Sequence, residues 1–178
     1  LKKFHADRIK RVYMRRALKL KDNFVVGYHG RLSSEKNIKL LVKAFDKIKA
    51  KIPNAKLLII GDGPLMKLVK NKPDIITVGF VDNPEDYLQA IDVYTLPSMT
   101  ETTVLALMEA MACGLPCIAT NVGAIPSYLK HRKNGILLDN KKLDANLLAL
   151  AIEQLKKDIK LRNDIKRNAA STIECCYS

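Results

Sequence analysis

The stretch Lys56-Leu57-Leu58-Ile59-Ile60-Gly61-Asp62-Gly63-Pro64 decides the fold. Four apolar residues in a row, without alternation, describe a strand covered on both faces, as in a parallel sheet. Gly61-Asp62-Gly63 then turns the chain with close backbone approach, and Pro64 suits the first turn of a following helix. The same order of apolar run, glycine-bearing turn and longer amphipathic segment recurs along the chain. Strands are expected at 24–29, 56–61, 75–80, 93–97, 116–120 and 135–138. Helices are expected at 37–51, 64–71, 84–90, 103–113, 125–130, 145–157 and 161–172. Short connections between such units predict an α/β fold: a doubly wound, six-stranded parallel sheet with right-handed crossovers and helices on both faces. Ligands in that architecture sit beyond the carboxyl ends of the strands, near the topological switch point.

A chain of 178 residues, 48% hydrophobic and 28% charged, is sized for one globular domain with a single core. We expect a basic linker or helix at 1–21, the folded domain at 22–173 and a truncated tail at 174–178, the whole being a piece of a longer protein. The longest apolar run, 104–113, is interrupted by Glu109 and is too short to span a membrane. Residues 1–21 lack the apolar core of a signal peptide. They do hold nine Lys or Arg against one Asp, which is +8 of the net +13. Arg8, Arg11, Arg15 and Lys19 fall on one helical stripe, expected to be a solvated face. A patch for an anionic membrane competes with that reading. Nucleic acid is set aside as a partner, because no binding motif or aromatic platform accompanies the charge. His5, His29 and His131 are scattered, so the four Cys have no zinc-ligand spacing and read as buried free thiols of a reducing compartment, here the cytoplasm.

The residues just after each strand carry the chemistry. Gly30-Arg31-Leu32-Ser33-Ser34-Glu35-Lys36-Asn37 places two cations beside a helix start, an arrangement suited to a diphosphate; pairing of Lys36 with Glu35 is the competing reading. Gly61 and Gly63 flank Asp62, and Gly79-Phe80-Val81 offers backbone edges to a nucleobase. Free amides near Val104 and Leu105 make a second anion site at a helix start. Glu109 lies in an otherwise apolar helical run, where an unpaired carboxylate costs several kcal/mol. It therefore either pairs within the core or faces a cleft and accepts hydrogen bonds from sugar hydroxyls. Glu101 precedes it by two helical turns, about 12 Å if both residues were helical, which is too far to flank one glycosidic bond as hydrolysis requires. No G-x-G-x-x-G or phosphate-loop motif follows the first strand, which disfavours a dinucleotide redox enzyme or an NTPase.

The ordered set of Gly30-Arg31-Leu32 with Lys36, Ile60-Gly61-Asp62-Gly63-Pro64, Gly79-Phe80-Val81, and Glu101 with Glu109-Ala110-Met111-Ala112-Cys113-Gly114-Leu115-Pro116 closely resembles the nucleotide-sugar-binding half of retaining family-4 glycosyltransferases. The match covers roughly residues 24–173. The resemblance implies a Rossmann-like domain, one of the two halves of a GT-B enzyme. It implies that Arg31 and Lys36 bind the donor diphosphate, that Glu109 holds the ribose, and that Glu101 lies near the donor sugar, making Arg31, Lys36 and Glu101 the catalytic set. Gly30, Gly61, Gly63, Phe80, Val81, Val104 and Leu105 would complete the donor site through base and phosphate contacts. No metal and no cofactor are implied; the substrate is a UDP- or GDP-sugar. The acceptor, a glycan or a lipid-linked group, would bind mostly to an amino-terminal half. Val104 stands where many members carry Gly, which narrows access to the phosphate, and Asn37 replaces a common Gly. A sugar-nucleotide epimerase and a non-catalytic nucleotide-sugar-binding module are the alternative readings.

Overall fold

The computed structural model describes residues 1–177. The strands are β1 (Phe24–His29), β2 (Ala55–Ile60), β3 (Ile75–Thr77), β4 (Val93–Leu96), β5 (Cys117–Thr120) and β6 (Ile136–Leu138). They form one sheet in the order β3-β2-β1-β4-β5-β6, every neighbouring pair parallel. The helices are α1 (Arg8–Ala17), α2 (Ile38–Lys51), α3 (Pro84–Leu88), α4 (Leu105–Ala112), α5 (Ile125–Tyr128), α6 (Ala145–Lys157) and α7 (Ile159–Tyr177). The expected doubly wound α/β fold is present. Winding runs outward from β1 to β3, then returns to β4 on the other side of β1 and proceeds to β6. Right-handed crossovers therefore put α2 and α4 on opposite faces, where α6 and α7 pack against them respectively. Leu57, Leu58 and Ile59 are fully buried, as their unbroken apolar run requires of a strand covered on both faces.

Three expected elements differ. The helix at 64–71 is only a 3-10 turn over Met66–Leu68. Nine residues between Gly63 and Pro73 give too few propagating bonds, and left-handed Asn71 (φ 58°) ends the segment. Strand β3 stops at Thr77 because Gly79 (φ 72°) turns the chain and its carbonyl accepts from the Gly61 N–H at 2.8 Å. Helix α7 runs through Tyr177, so residues 174–177 continue it, and Ser178 lies outside the described residues.

The basic amino-terminal segment also departs from expectation. Asp7 caps α1 by accepting from the Lys10 N–H at 2.9 Å. Arg11 and Arg15 do not form a solvated stripe. Arg11 Nη2 meets Asp92 Oδ1 at 2.5 Å and Arg15 Nη1 meets Asp92 Oδ2 at 3.2 Å. Both guanidinium groups also donate to the carbonyls of residues 89–91 at the foot of β4. Asp92 in turn accepts from the Val25 N–H at 2.8 Å, so these arginines bind α1 to the sheet. Lys19 lies beyond the helix with a left-handed φ of 54°. Cys113 and Cys117 are buried free thiols, whereas Cys175 and Cys176 are exposed, against the expectation for all four. Among the described residues no helix is long and apolar enough to cross a membrane.

Candidate active site

Reversal of winding direction between β1 and β4 opens a crevice at their carboxyl ends, and the loops that follow these strands meet there. The first loop turns at Gly30 and is tied to β2, whose Ile60 carbonyl accepts from the Gly30 N–H at 2.9 Å. Gly61 must be glycine: an added Cβ would lie 2.1 Å from the Gly30 carbonyl oxygen, in a backbone with φ of 134°. This crossing of backbones floors a cleft of about 510 Å³ lined by His29, Gly30, Arg31, Ile60, Gly61, Asp62, Gly63, Phe80 and Val81. Phe80 is 79% exposed beside it, held out by the turn at Gly79. A larger cavity, about 620 Å³, lies at the other end, among Arg11, Asp92, Pro116 and Lys166 near the strand starts. Only the smaller cleft coincides with the switch point and with the expected residues.

Arg31 is exposed on the cleft wall, and its side chain has no hydrogen bond or ion pair among the described residues. Its carbonyl accepts from the buried Tyr28 hydroxyl at 2.7 Å, which fixes the loop but leaves the guanidinium free. Lys36 does not pair with Glu35. Glu35 instead accepts from the Ser33 hydroxyl at 2.5 Å, which holds its carboxyl below the usual range. Lys36 Nζ lies 2.6 Å from Glu101 Oε1, which also accepts from the Ser98 hydroxyl at 2.7 Å. The Glu101 side chain is 4% exposed and that of Lys36 22%, so this pair is largely desolvated. Asn37, in place of a glycine, takes φ 57° and ψ 41°, a left-handed conformation that Asn tolerates better than most residues.

The loop after β4 is fixed from three sides. The Met99 N–H donates to the Glu35 carbonyl at 2.8 Å, and the Thr120 hydroxyl donates to the Ser98 carbonyl at 2.5 Å. Gly123 approaches so closely that a Cβ would lie 1.7 Å from the Glu101 carbonyl oxygen. Helix α4 starts after Val104, which has no side-chain cap, and no backbone acceptor meets the N–H groups of residues 105–107 among the described residues. The Val104 side chain joins the hydrophobic core, whereas that of Leu105 is exposed.

Glu109 does meet a polar group, and it is one that the sequence reading passed over. His29 Nδ1 lies 3.3 Å from Glu109 Oε2, with the two side chains 18% and 21% exposed. Burial pushes the Glu109 carboxyl above its ordinary range, an effect partly offset by Lys3. Burial pulls the His29 imidazole below its ordinary value of 6.5. A signal for His29 was present: it is the last residue of a strand in a fold whose ligands sit at strand ends. Glu101 and Glu109 do not share a helix, since Glu101 precedes α4. Among the described residues no group of three or more His, Cys, Asp or Glu is placed to hold a metal ion.

Residues 10–172 match the family model described as glycosyl transferases group 1. The chain is 37% identical over 145 residues to N-acetyl-alpha-D-glucosaminyl L-malate synthase of Bacillus anthracis, covering 78% of this chain and 37% of that protein. Anabaena Alr3699/HepE, solved in complex with UDP-glucose, has the same fold with a TM-score of 0.88 at 22% identity, over 98% of this chain and 50% of that one. The C-terminal domain of a glycosyl transferase group 1 family protein (LpcC) from Francisella tularensis gives a TM-score of 0.85 at 24% identity, over 99% of this chain and 97% of that one. The chain thus spans well under half the length of the malate synthase it matches.

Proposed function

The chain belongs to the glycosyl transferases group 1 family, and we propose that it is the half of a GT-B enzyme that binds the nucleotide-sugar donor. The observation that carries this reading is the meeting of a free Arg31, the Lys36–Glu101 pair and the uncapped amides of α4 at one end of the sheet. A UDP- or GDP-sugar supplies the matching chemistry. Arg31 grips the diphosphate in bidentate fashion, Lys36 adds a point charge, and the amides near Val104 and Leu105 receive the distal phosphate. Glu109 accepts from the ribose hydroxyls, and the base lies along Phe80 and Val81 over the backbone of Gly30, Gly61 and Gly63. Glu101 sits beside the donor sugar.

As the glycosidic bond breaks, negative charge develops on the leaving diphosphate. Fixed cations and helix amides stabilise it without a metal ion. We propose transfer with retention of configuration to a glycan or lipid-linked acceptor held mostly by an amino-terminal Rossmann-like half, in the cytoplasm. On this reading the chain alone binds donor and does not transfer. The decisive experiment titrates it with UDP, GDP and ADP by calorimetry, with and without magnesium. Saturable, metal-independent binding of one nucleotide, weakened by Arg31→Ala and Glu109→Ala, supports the reading. No binding at millimolar nucleotide defeats it. Product analysis on the full-length protein separates transfer from epimerisation of the sugar nucleotide, and no turnover despite binding would leave a non-catalytic module.

A second feature supports peripheral contact with an anionic membrane. Ile9, Val12 and Tyr13 on the outer face of α1 are 84%, 70% and 69% exposed, beside the exposed cations Arg8 and Arg16. Apolar side chains flanked by unpaired cations fit the boundary between lipid headgroups and acyl chains.

A further inference from the structure

We propose that His29 is a positioning residue for the donor site, its imidazole holding the Glu109 carboxylate in the orientation that meets the ribose hydroxyls of a nucleoside diphosphate. The inference rests on the reading of Glu109 given above. Its starting point is an anomaly: His29 Nδ1 is shut off from solvent yet makes no well-directed hydrogen bond. A buried donor left in that state costs about 1–3 kcal/mol. The acceptor within reach is Glu109 Oε2, 3.3 Å away. The imidazole is not free to seek another partner by backbone movement. Its carbonyl is held by the Tyr94 hydroxyl at 3.2 Å, and its strand is locked in register with β2, His29 against Ile60.

The ionisation states fit this role. Desolvation keeps the imidazole neutral at pH 7, and the nearby carboxylate places its single proton on Nδ1. A neutral Nδ1–H donates to Oε2 without the full ion pair that would draw the carboxylate away from a ligand. The 3.3 Å contact shortens when hydroxyls take the remaining lone pairs of Glu109, as catalytic hydrogen bonds commonly do on ligand binding. His29 also lines the cleft, beside Gly30 and Arg31, so it is placed to act on the ligand's ribose end through Glu109.

The test pairs protein variants with a change in the ligand. The chain and its His29→Val, His29→Asn and Glu109→Gln variants are titrated by calorimetry with UDP or GDP, whichever binds the unaltered chain more tightly, and with its 2′,3′-dideoxy analogue. His29→Val is expected to weaken the ribonucleotide about tenfold, the scale of one charge-assisted hydrogen bond. It should leave the dideoxy analogue within about twofold, because no hydroxyl then depends on Glu109. His29→Asn, whose side-chain amide can stand near the Nδ1 position, should restore most of the preference for the ribonucleotide. Equal losses for both ligands, or no loss for either, would overturn the inference. If Glu109→Gln reduces that preference while His29→Val does not, the donor-site reading stands and the role of His29 falls. If Glu109→Gln leaves it unchanged, or neither nucleotide binds, the ribose reading fails and takes the inference with it. A thermal melt of each variant separates misfolding from lost positioning, and if His29→Val does not fold, His29→Leu takes its place with the same expected loss for the ribonucleotide alone.

Discussion

Replacing Lys36 with Met should destabilise the chain far more than replacing Glu101 with Gln, although the two residues form one ion pair. The pair spans 2.6 Å, and Glu101 is the more enclosed partner. Lys36→Met leaves the Glu101 carboxylate desolvated, with the Ser98 hydroxyl at 2.7 Å as its remaining side-chain donor. Breaking a buried pair in this way costs about 3–5 kcal/mol. The 22% exposure of Lys36 means that water enters once the ammonium is gone, so about 3 kcal/mol is the fitting end of that range. For a domain of this size that lowers Tm by about 6–12 °C. Glu101→Gln keeps the Ser98 bond and frees an ammonium that can turn toward solvent, at a cost of about 1 kcal/mol. Combining Lys36→Met with Glu101→Gln should recover most of the loss, because no uncompensated buried charge remains. Scanning calorimetry on the three variants at pH 7 is the assay. Equal losses for the two single changes, or a double variant as unstable as Lys36→Met, would refute the argument that a desolvated carboxylate governs this site.

Gly123→Ala should displace the Glu101 loop, since its Cβ would lie 1.7 Å from a backbone oxygen; loss of nucleotide affinity together with a lowered Tm is the expected result. Asp92→Ala should destabilise by about 3 kcal/mol by stranding Arg11 and Arg15 and freeing the Val25 N–H, with chemical denaturation as the measure. Nucleotide affinity should be lost in acid as pH falls through the raised Glu109 value, which lies above the ordinary 4.5, and a pH series of titrations reads this directly. The His29 pKa is lowered on folding, so its contribution to stability is complete above 6.5 and lost as pH falls through the lower folded value; urea melts across that window should show the decline, and His29→Asn should flatten it. Changing Ile9, Val12 and Tyr13 to Glu should abolish co-sedimentation with anionic vesicles while leaving nucleotide affinity intact, and persistence of sedimentation would dismiss the membrane reading.

Much of the fold was legible because buried parallel strands leave a distinctive trace. The unbroken runs around Val25 and Leu58 have no other economical reading, and winding direction follows from short connections. Glu109 was legible for the same reason, as the one charge in an apolar helix. Lys36 and Glu101 could be singled out, but not their contact. They lie 65 positions apart and meet only because β1 and β4 are neighbours in the sheet. The arginine stripe of α1 misled because periodicity reports which residues share a face, not what the face meets. Asp92, at the foot of β4, carries no sign that it will take two guanidinium groups. Residues 64–71 misled for the opposite reason: helical composition was present, but tethering of the Leu65 N–H to the Leu32 carbonyl and the left-handed Asn71 left room for one tight turn.

Charge counted along a chain overstates charge that is free to act. Of the nine cations in residues 1–21, Lys3, Lys10, Arg11 and Arg15 are spent on Glu85, Asp86 and Asp92. Lys2, Arg8, Arg16, Lys19 and Lys21 are left without an ion pair among the described residues. The spent group joins the amino-terminal segment to the foot of the sheet and to α3, so it is structural. The remaining five set any surface field, and two of them, Arg8 and Arg16, flank the exposed Ile9, Val12 and Tyr13. Arg31 differs from both groups. It too is unpaired, but it stands at the switch point, where an anion would be held by helix amides as well. Position relative to the sheet, and not the net +13, is what separates a cation left open to an anionic ligand from one that binds the protein to itself.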